Sequence, residues 1–202
     1  MRCLICFNDI EIRGIHSLFF NAPICQSCFL KLNRRPKNIF LPNGVVHSFF
    51  PYQDDIVSLI YQFKGCNDIA LAPVFLAYDN FFLKLKYHDY VLVAAPSTEL
   101  SNEERGFLHV EEMFNFFHKP FCRMLKKSTD FKQADLHKDE RKKAAKNIIR
   151  CLDPPLENKK VLLVDDIVTT GSTLSRCIDL INELHPKKIE VVTVAYTLAK
   201  EN

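Results

Sequence analysis

Apolar and polar positions follow two rhythms along this chain. From Val45 onward, short β-rich runs are each followed by a stretch with apolar residues at helical spacing. Residues 45–52 read as a strand. Residues 54–63 put Ile56, Leu59, Ile60 and Phe63 on one helical face behind an Asp54 start. The pattern predicts a second helix over 67–85, interrupted at Pro73, and a buried strand over 90–95 stopped by Pro96 and Ser97. It then predicts a Phe-rich helix over 103–118, a short strand over 121–125 and a basic helix over 139–149. The run over 160–166 is a strand ending in acid, 172–184 a helix and 189–196 a closing strand. Strands alternating with helices predict a parallel sheet covered on both sides, with ligands at the carboxyl ends of its strands.

Before Val45 this rhythm is absent. Arg34-Arg35-Pro36-Lys37 followed by Pro42-Asn43-Gly44 reads as a linker, which places a boundary near residue 45 between a small unit over 1–44 and an α/β unit over 45–202. The 202 residues suffice for one domain and an appendage. With 48% hydrophobic and 25% charged residues, disordered, collagenous and coiled-coil classes are excluded. No apolar run reaches the roughly 20 residues a membrane span needs. Met1 leads into Arg2 and Cys3 rather than a signal peptide, so the expectation is a cytoplasmic chain without membrane insertion, whose thiols stay reduced.

That expectation gives the eight cysteines meaning. Cys3, Cys6, Cys25 and Cys28 form two C-x2-C pairs separated by 18 residues, the ligand spacing of a structural four-thiolate zinc site. Four thiolates leave no open coordination position, so such a metal holds the fold and does no chemistry. The alternative is four unligated core thiols. Cys66, Cys122, Cys151 and Cys177 are scattered singly and read as small buried hydrophobes.

The candidate chemistry lies in Val161-Leu-Leu-Val-Asp-Asp-Ile-Val-Thr-Thr-Gly-Ser-Thr173. Four apolar residues make a strand buried on both faces, and Asp165 and Asp166 follow at its carboxyl end. Thr169, Thr170, Gly171, Ser172 and Thr173 then open a helix. Backbone N–H groups at a helix start, hydroxyl donors and a Gly where the chain passes close to its guest make a cradle for a phosphate dianion. Paired carboxylates beside it suit vicinal ribose hydroxyls or a magnesium ion. A strand, an acidic turn and a Thr cap also occur without any ligand, but the full thirteen-residue pattern is more specific than that.

This segment resembles the motif of type I phosphoribosyltransferases that binds 5-phosphoribosyl 1-pyrophosphate (PRPP). The resemblance implies that residues 169 to 173 grip the 5′-phosphate and that Asp165 and Asp166 contact the ribose. Together with the four-cysteine unit, the chain resembles the ComF family of bacterial competence-related proteins, tied to natural transformation and DNA uptake. Phe63-Lys64-Gly65, Ala95-Pro96-Ser97, Arg105-Gly106-Phe107, Gln133-Ala-Asp-Leu136 and Glu140-Arg141 fit that likeness. The implied fold is α/β: a small N-terminal four-cysteine zinc ribbon, then a phosphoribosyltransferase-like parallel sheet flanked by helices. The implied cofactors are structural zinc and magnesium with PRPP. The chain departs from the family at Leu108, His109 and Ala144, and it carries Glu99, Glu103 and Glu104 after Pro96.

Lys64, Pro96, Ser97 and Arg105 are candidates for the pyrophosphate side, because an anionic leaving group needs fixed cations. Arg105 has an alternative partner in Glu103 or Glu104, and Lys64 an alternative role as a solvated helix end. The seven histidines show no metal spacing and read as core or surface residues. Residues 123–150 hold ten Lys or Arg against four acids, and 1–42 hold six against two. These zones read either as solvated faces or as a nucleic-acid footprint, with Lys138, Arg141, Lys142 and Lys143 as candidate contacts to single-stranded DNA. Two readings stay open: a phosphoribosyl transfer enzyme with an unknown acceptor, or a non-catalytic module that senses PRPP or a nucleotide while holding single-stranded DNA. Other competence or DNA-processing proteins are implied partners.

Overall fold

A computed structural model describes residues 1–10, 23–127 and 147–197. Its centre is the run predicted as a doubly buried strand. Strand β6 (Lys160–Val168) leaves Val161, Leu162, Leu163 and Val164 without exposed surface. It lies between β7 (Lys188–Tyr196) and β3 (Val91–Ala94), parallel to both, and β7 is followed by β2 (Gly44–Pro51), also parallel. The antiparallel edge strand β1 (Lys37–Leu41) completes the five-stranded order β1-β2-β7-β6-β3.

Successive side chains of β6 alternate between two cores, as a strand requires. Leu162 and Val164 face a cluster built from α2 (Asp54–Gly65), the 3₁₀ turn Ile69–Val74, α3 (Asn80–Lys86) and α5 (His109–Met113). Val161 and Leu163 face α6 (Ser172–Asn182) and the two-stranded sheet of β4 (Leu125–Lys127) and β5 (Ile148–Arg150). The expected helix over 54–63 is therefore α2, with Ile56, Leu59, Ile60 and Phe63 all buried.

Several expectations change. The helix expected over 67–85 is a 3₁₀ turn and a separate α3, because Pro73 cannot continue an α-helical ladder. The helix expected over 103–118 is split at Gly106, whose φ of 78° ends α4 (Glu99–Arg105) in a left-handed cap. The strand expected over 121–125 begins at Leu125, and Phe121 makes only an isolated bridge with Leu92. Ile148–Arg150, expected at the end of a basic helix, is strand β5; residues 139–146 lie outside the described residues.

Lys37–Leu41, within the stretch read as a linker, is β1. Only Ile39 and Leu41 of this edge strand are half-buried and the other three positions are exposed, so no apolar alternation marks it. Cys3, Ile24, Cys28 and Leu32 belong to the same apolar cluster as Phe49, Phe63 and Phe75. Arg34 grips Asp79 at 3.0 and 2.5 Å, the Tyr78 hydroxyl donates to Ile24 O at 3.3 Å, and the Phe29 and Tyr78 rings sit 4.1 Å apart. The amino-terminal unit is thus packed into the core of the sheet. Among the described residues, no helix is long and apolar enough to cross a membrane.

Candidate functional site

Strand β6 runs two residues beyond the paired acids, to Val168, before the hydroxyl-rich loop. Gly171, at φ 73° and ψ 0°, turns the chain into α6. This left-handed conformation favours glycine, and a Cβ would lie 2.3 Å from Leu41 Cδ2, so that the Leu41 side chain would have to shift. Asp165, Ile167 and Val168 line a cavity of about 40 Å3 with all five loop residues and Leu174. The Thr170 and Ser172 hydroxyls share a 3.0 Å hydrogen bond at its edge. The structure therefore gathers Asp165, Thr169, Thr170, Gly171, Ser172 and Thr173 around one concavity at a helix start.

Asp166 goes elsewhere. Neighbouring strand residues point to opposite faces, so Asp166 turns away from the loop and is 6% exposed. Its carboxylate pairs with the Lys64 ammonium, and His109 Nε2 lies 3.7 Å from the same oxygen. Arg105 joins this group, Nε donating to Lys64 O at 3.4 Å and Nη1 to His109 Nδ1 at 3.0 Å. A guanidinium only donates, so His109 Nδ1 accepts and its N–H sits on Nε2, facing Asp166.

Burial disfavours charge on every member, and the pairings decide where charge survives. Burial and the neighbouring Asp166 charge raise the Asp165 carboxyl well above the usual carboxylate range. Burial also opposes the Asp166 charge, but Lys64 and His109 outweigh it and hold that carboxyl low. Burial pushes His109 down to about 4; Asp166 pulls it up, and the Lys64 and Arg105 cations push it further down. Of the two carboxyls, Asp166 therefore ionises first. Lys64→Ala removes the only cation paired with Asp166 among the described residues. It is expected to cost about 2–3 kcal/mol in a urea unfolding series, below the usual cost for a fully buried pair because Lys64 keeps some exposure.

The residues expected on the pyrophosphate side divide into two places. Lys64 and Arg105 are held in the Asp166 cluster. Pro96 and Ser97 line a cavity of about 140 Å3 beyond the end of β3, together with His109, Arg123 and Lys126. Ser97 Oγ donates to Asn102 Oδ1 at 2.5 Å. The acids Glu99 and Glu111 share this lining, and Glu111 holds Arg123 in a two-pronged contact at 2.8 Å. Arg123 and Lys126 were visible in the sequence only as members of a basic stretch. His109 stood out in the sequence only as a departure from the family pattern, because it meets Asp166 only in space. Lys138, Arg141, Lys142 and Lys143 lie outside the described residues.

The four amino-terminal cysteines come together as their spacing requires. Their sulfurs all lie within 4.8 Å of one another, with Cys6 Sγ 3.7 Å from Cys25 Sγ. A tetrahedral ion with bonds of about 2.3 Å to sulfur has sulfurs about 3.8 Å apart, so the donor set fits zinc in size and chemistry. Cys25 caps α1 (Gln26–Lys31), whose first turn carries Cys28, and the Cys25 amide donates to Cys3 Sγ at 3.3 Å. The Ser27 hydroxyl helps push Cys25 down to about 6, whereas burial pushes Cys28 up. Four sulfurs this close do not all ionise on their own, and a dication resolves the conflict.

Residues 103–202 match the phosphoribosyl transferase domain family, a range that contains α6 and its loop. Over 186 residues the chain is 26% identical to the Competence protein ComFC of Streptococcus pneumoniae (strain ATCC BAA-255 / R6), spanning 86% of this chain and 80% of that protein. The chain is thus similar to a ComF-type protein over most of its length and carries a phosphoribosyl transferase domain in its carboxyl-terminal part. A shorter stretch of this chain, 47 residues or 23% of it, is 38% identical to the hypoxanthine phosphoribosyltransferase of Buchnera aphidicola subsp. Schizaphis graminum (strain Sg), covering 27% of that enzyme. Among solved structures, a hypoxanthine phosphoribosyltransferase from Staphylococcus aureus aligns over 62% of both chains at 16% identity, with a TM-score of 0.41. An adenine phosphoribosyltransferase aligns over 84% of this chain and 88% of its own at 12% identity, with a TM-score of 0.39.

Proposed function

We propose that this chain binds PRPP with magnesium at the carboxyl end of its sheet and serves DNA uptake in the cytoplasm, as its similarity to a competence protein suggests. The observation that carries the reading is the cavity in which Thr169 to Thr173 and Asp165 converge around Gly171. A phosphate monoester suits that concavity: it takes N–H donors at a helix start and hydroxyls from the loop. The ribose hydroxyls and magnesium fall to Asp165, which lines that cavity, while Asp166 on the opposite face of the strand holds Lys64. Magnesium supplies charge neutralisation to the pyrophosphate of PRPP. Pro96, Ser97, Arg123 and Lys126 face the pyrophosphate. Zinc sits on Cys3, Cys6, Cys25 and Cys28 as a structural ion.

Two uses of this site divide at the leaving group. In a transferase, the bond from ribose C1 to pyrophosphate breaks, C1 bonds to the acceptor, and pyrophosphate departs. In a sensing module, PRPP binds and stays whole while the basic surface holds single-stranded DNA. One observation favours the module: Glu99 and Glu111 line the pyrophosphate-side cavity, and Glu111 occupies Arg123. Acids at close range oppose a departing dianion's charge rather than stabilise it. Pyrophosphate release from PRPP and magnesium, followed with and without single-stranded DNA, separates the two. The module predicts no release in either sample; release that proceeds catalytically establishes the transferase.

A further inference from the structure

The β1–β2 turn lies against the helix that opens at the phosphate loop. Leu41 covers Gly171 so closely that a Cβ there would meet its Cδ2. Gly44 faces Ile178, whose Cδ1 would be 3.0 Å from a Cβ at that position. Between them, Asn43 Nδ2 donates to Ser175 O at 2.8 Å and to Asp179 Oδ1 at 2.7 Å. Two acceptors on one side of the amide fix which end carries the NH2 group. Ser175 closes the first turn of α6, its N–H donating to Gly171 O at 2.8 Å. The turn therefore touches the helix at its Gly171 cap and at 175, 178 and 179, one face of α6, and none of the turn's own residues lines the phosphate cavity.

A cradle of backbone N–H groups binds a phosphate only if those groups point at one fixed place before the ligand arrives, and an exposed helix start frays unless something holds it. We propose that Asn43 is a positioning residue for the phosphate loop, holding the first turn of α6 so that the amides at 171 to 173 converge on the terminal phosphate of a phosphoribosyl ligand. This rests on the PRPP reading. Asn43 touches no ligand; it acts through Ser175 and Asp179. The same side chain does not serve the pyrophosphate side, which is formed by β3, α5 and β4 on the far side of β6 from the turn.

The test compares wild type, Asn43→Ala and Asp179→Ala by two readouts, residue-resolved amide hydrogen exchange and calorimetric titration with ribose 5-phosphate. In Asn43→Ala, exchange is expected to rise at amides 171–175 and stay unchanged in β3, and ribose 5-phosphate affinity to fall about five- to tenfold, the size of effect expected for losing such a hydrogen bond. Asp179→Ala, which leaves the turn itself intact, is expected to show a smaller shift of the same kind. Exchange that rises throughout the sheet makes Asn43 a packing residue only and overturns the proposal. Faster exchange at 171–175 with unchanged affinity overturns it as well. If wild type fails to bind ribose 5-phosphate and PRPP alike, the PRPP reading itself falls, an outcome distinct from a wild type that binds and a variant that binds equally well.

Discussion

With zinc on the four cysteines as proposed, stripping it with a chelator is expected to lower the unfolding temperature of the whole chain, by on the order of 20–40 °C. A structural zinc is worth roughly 10 kcal/mol or more of folding free energy, and here it has no independent module to hold. Cys3 and Cys28 are buried, at 0% and 5% exposure, in the cluster that includes Phe49, Phe63 and Phe75 beneath the sheet. Arg34 on Asp79, Tyr78 on Ile24 and the Tyr196 hydroxyl on Arg35 O, at 3.0 Å, extend the contact to the turn before α3 and to β7. Losing the ion therefore loosens the sheet's own core. Cys28→Ser is expected to act in the same direction. Thermal unfolding followed by circular dichroism, with zinc added back after chelation, measures the shift. A sheet that melts at an unchanged temperature would make the amino-terminal unit a separate appendage.

The second large effect is expected at Gly171. Gly171→Val asks a β-branched residue to adopt φ 73° and places side-chain carbon 2.3 Å from Leu41 Cδ2. The backbone term alone costs about 1–2 kcal/mol, and relieving the overlap moves the loop whose amides form the cradle. Affinity for PRPP is expected to fall about a hundredfold or more, with a much smaller change in the exchange protection of β3, at the sheet edge opposite β1. Pairing the milder Gly171→Ala with Leu41→Ala is expected to recover part of the loss, since that pair removes the contact and leaves only the backbone strain. Titration of PRPP into the three variants reads both effects.

What the sequence made legible was local. The strand over Val161 to Val164 announces itself by four adjacent apolar residues, and the cysteines by their spacing. The loop from Thr169 to Thr173 is contiguous, so one window of sequence held the entire cradle. The partners of Asp166 were not local: Lys64 lies 102 positions away and meets it only because α2 packs beside β6. The two acids read as a pair from their adjacency, yet strand geometry sends them to opposite faces, a consequence the period of two already contained. Arg105 and His109 stand at helical spacing within the expected 103–118 helix. They do meet, although Gly106 breaks that helix between them. Strand β1 is unmarked in the sequence because Ile39, Phe40 and Leu41 are apolar in a row, without the alternation a half-buried strand shows, although Phe40 is 80% exposed. With it went the turn that braces α6, so the sequence reading found the phosphate loop without the element that holds it.

The most direct test is a calorimetric titration of PRPP with magnesium into the zinc-loaded chain, wild type beside Gly171→Val. Saturable binding with one site per chain in wild type, lost in Gly171→Val while both proteins remain folded, is the expected result. Absence of binding to wild type, or equal binding to the variant, would contradict the assignment of this loop as a PRPP site.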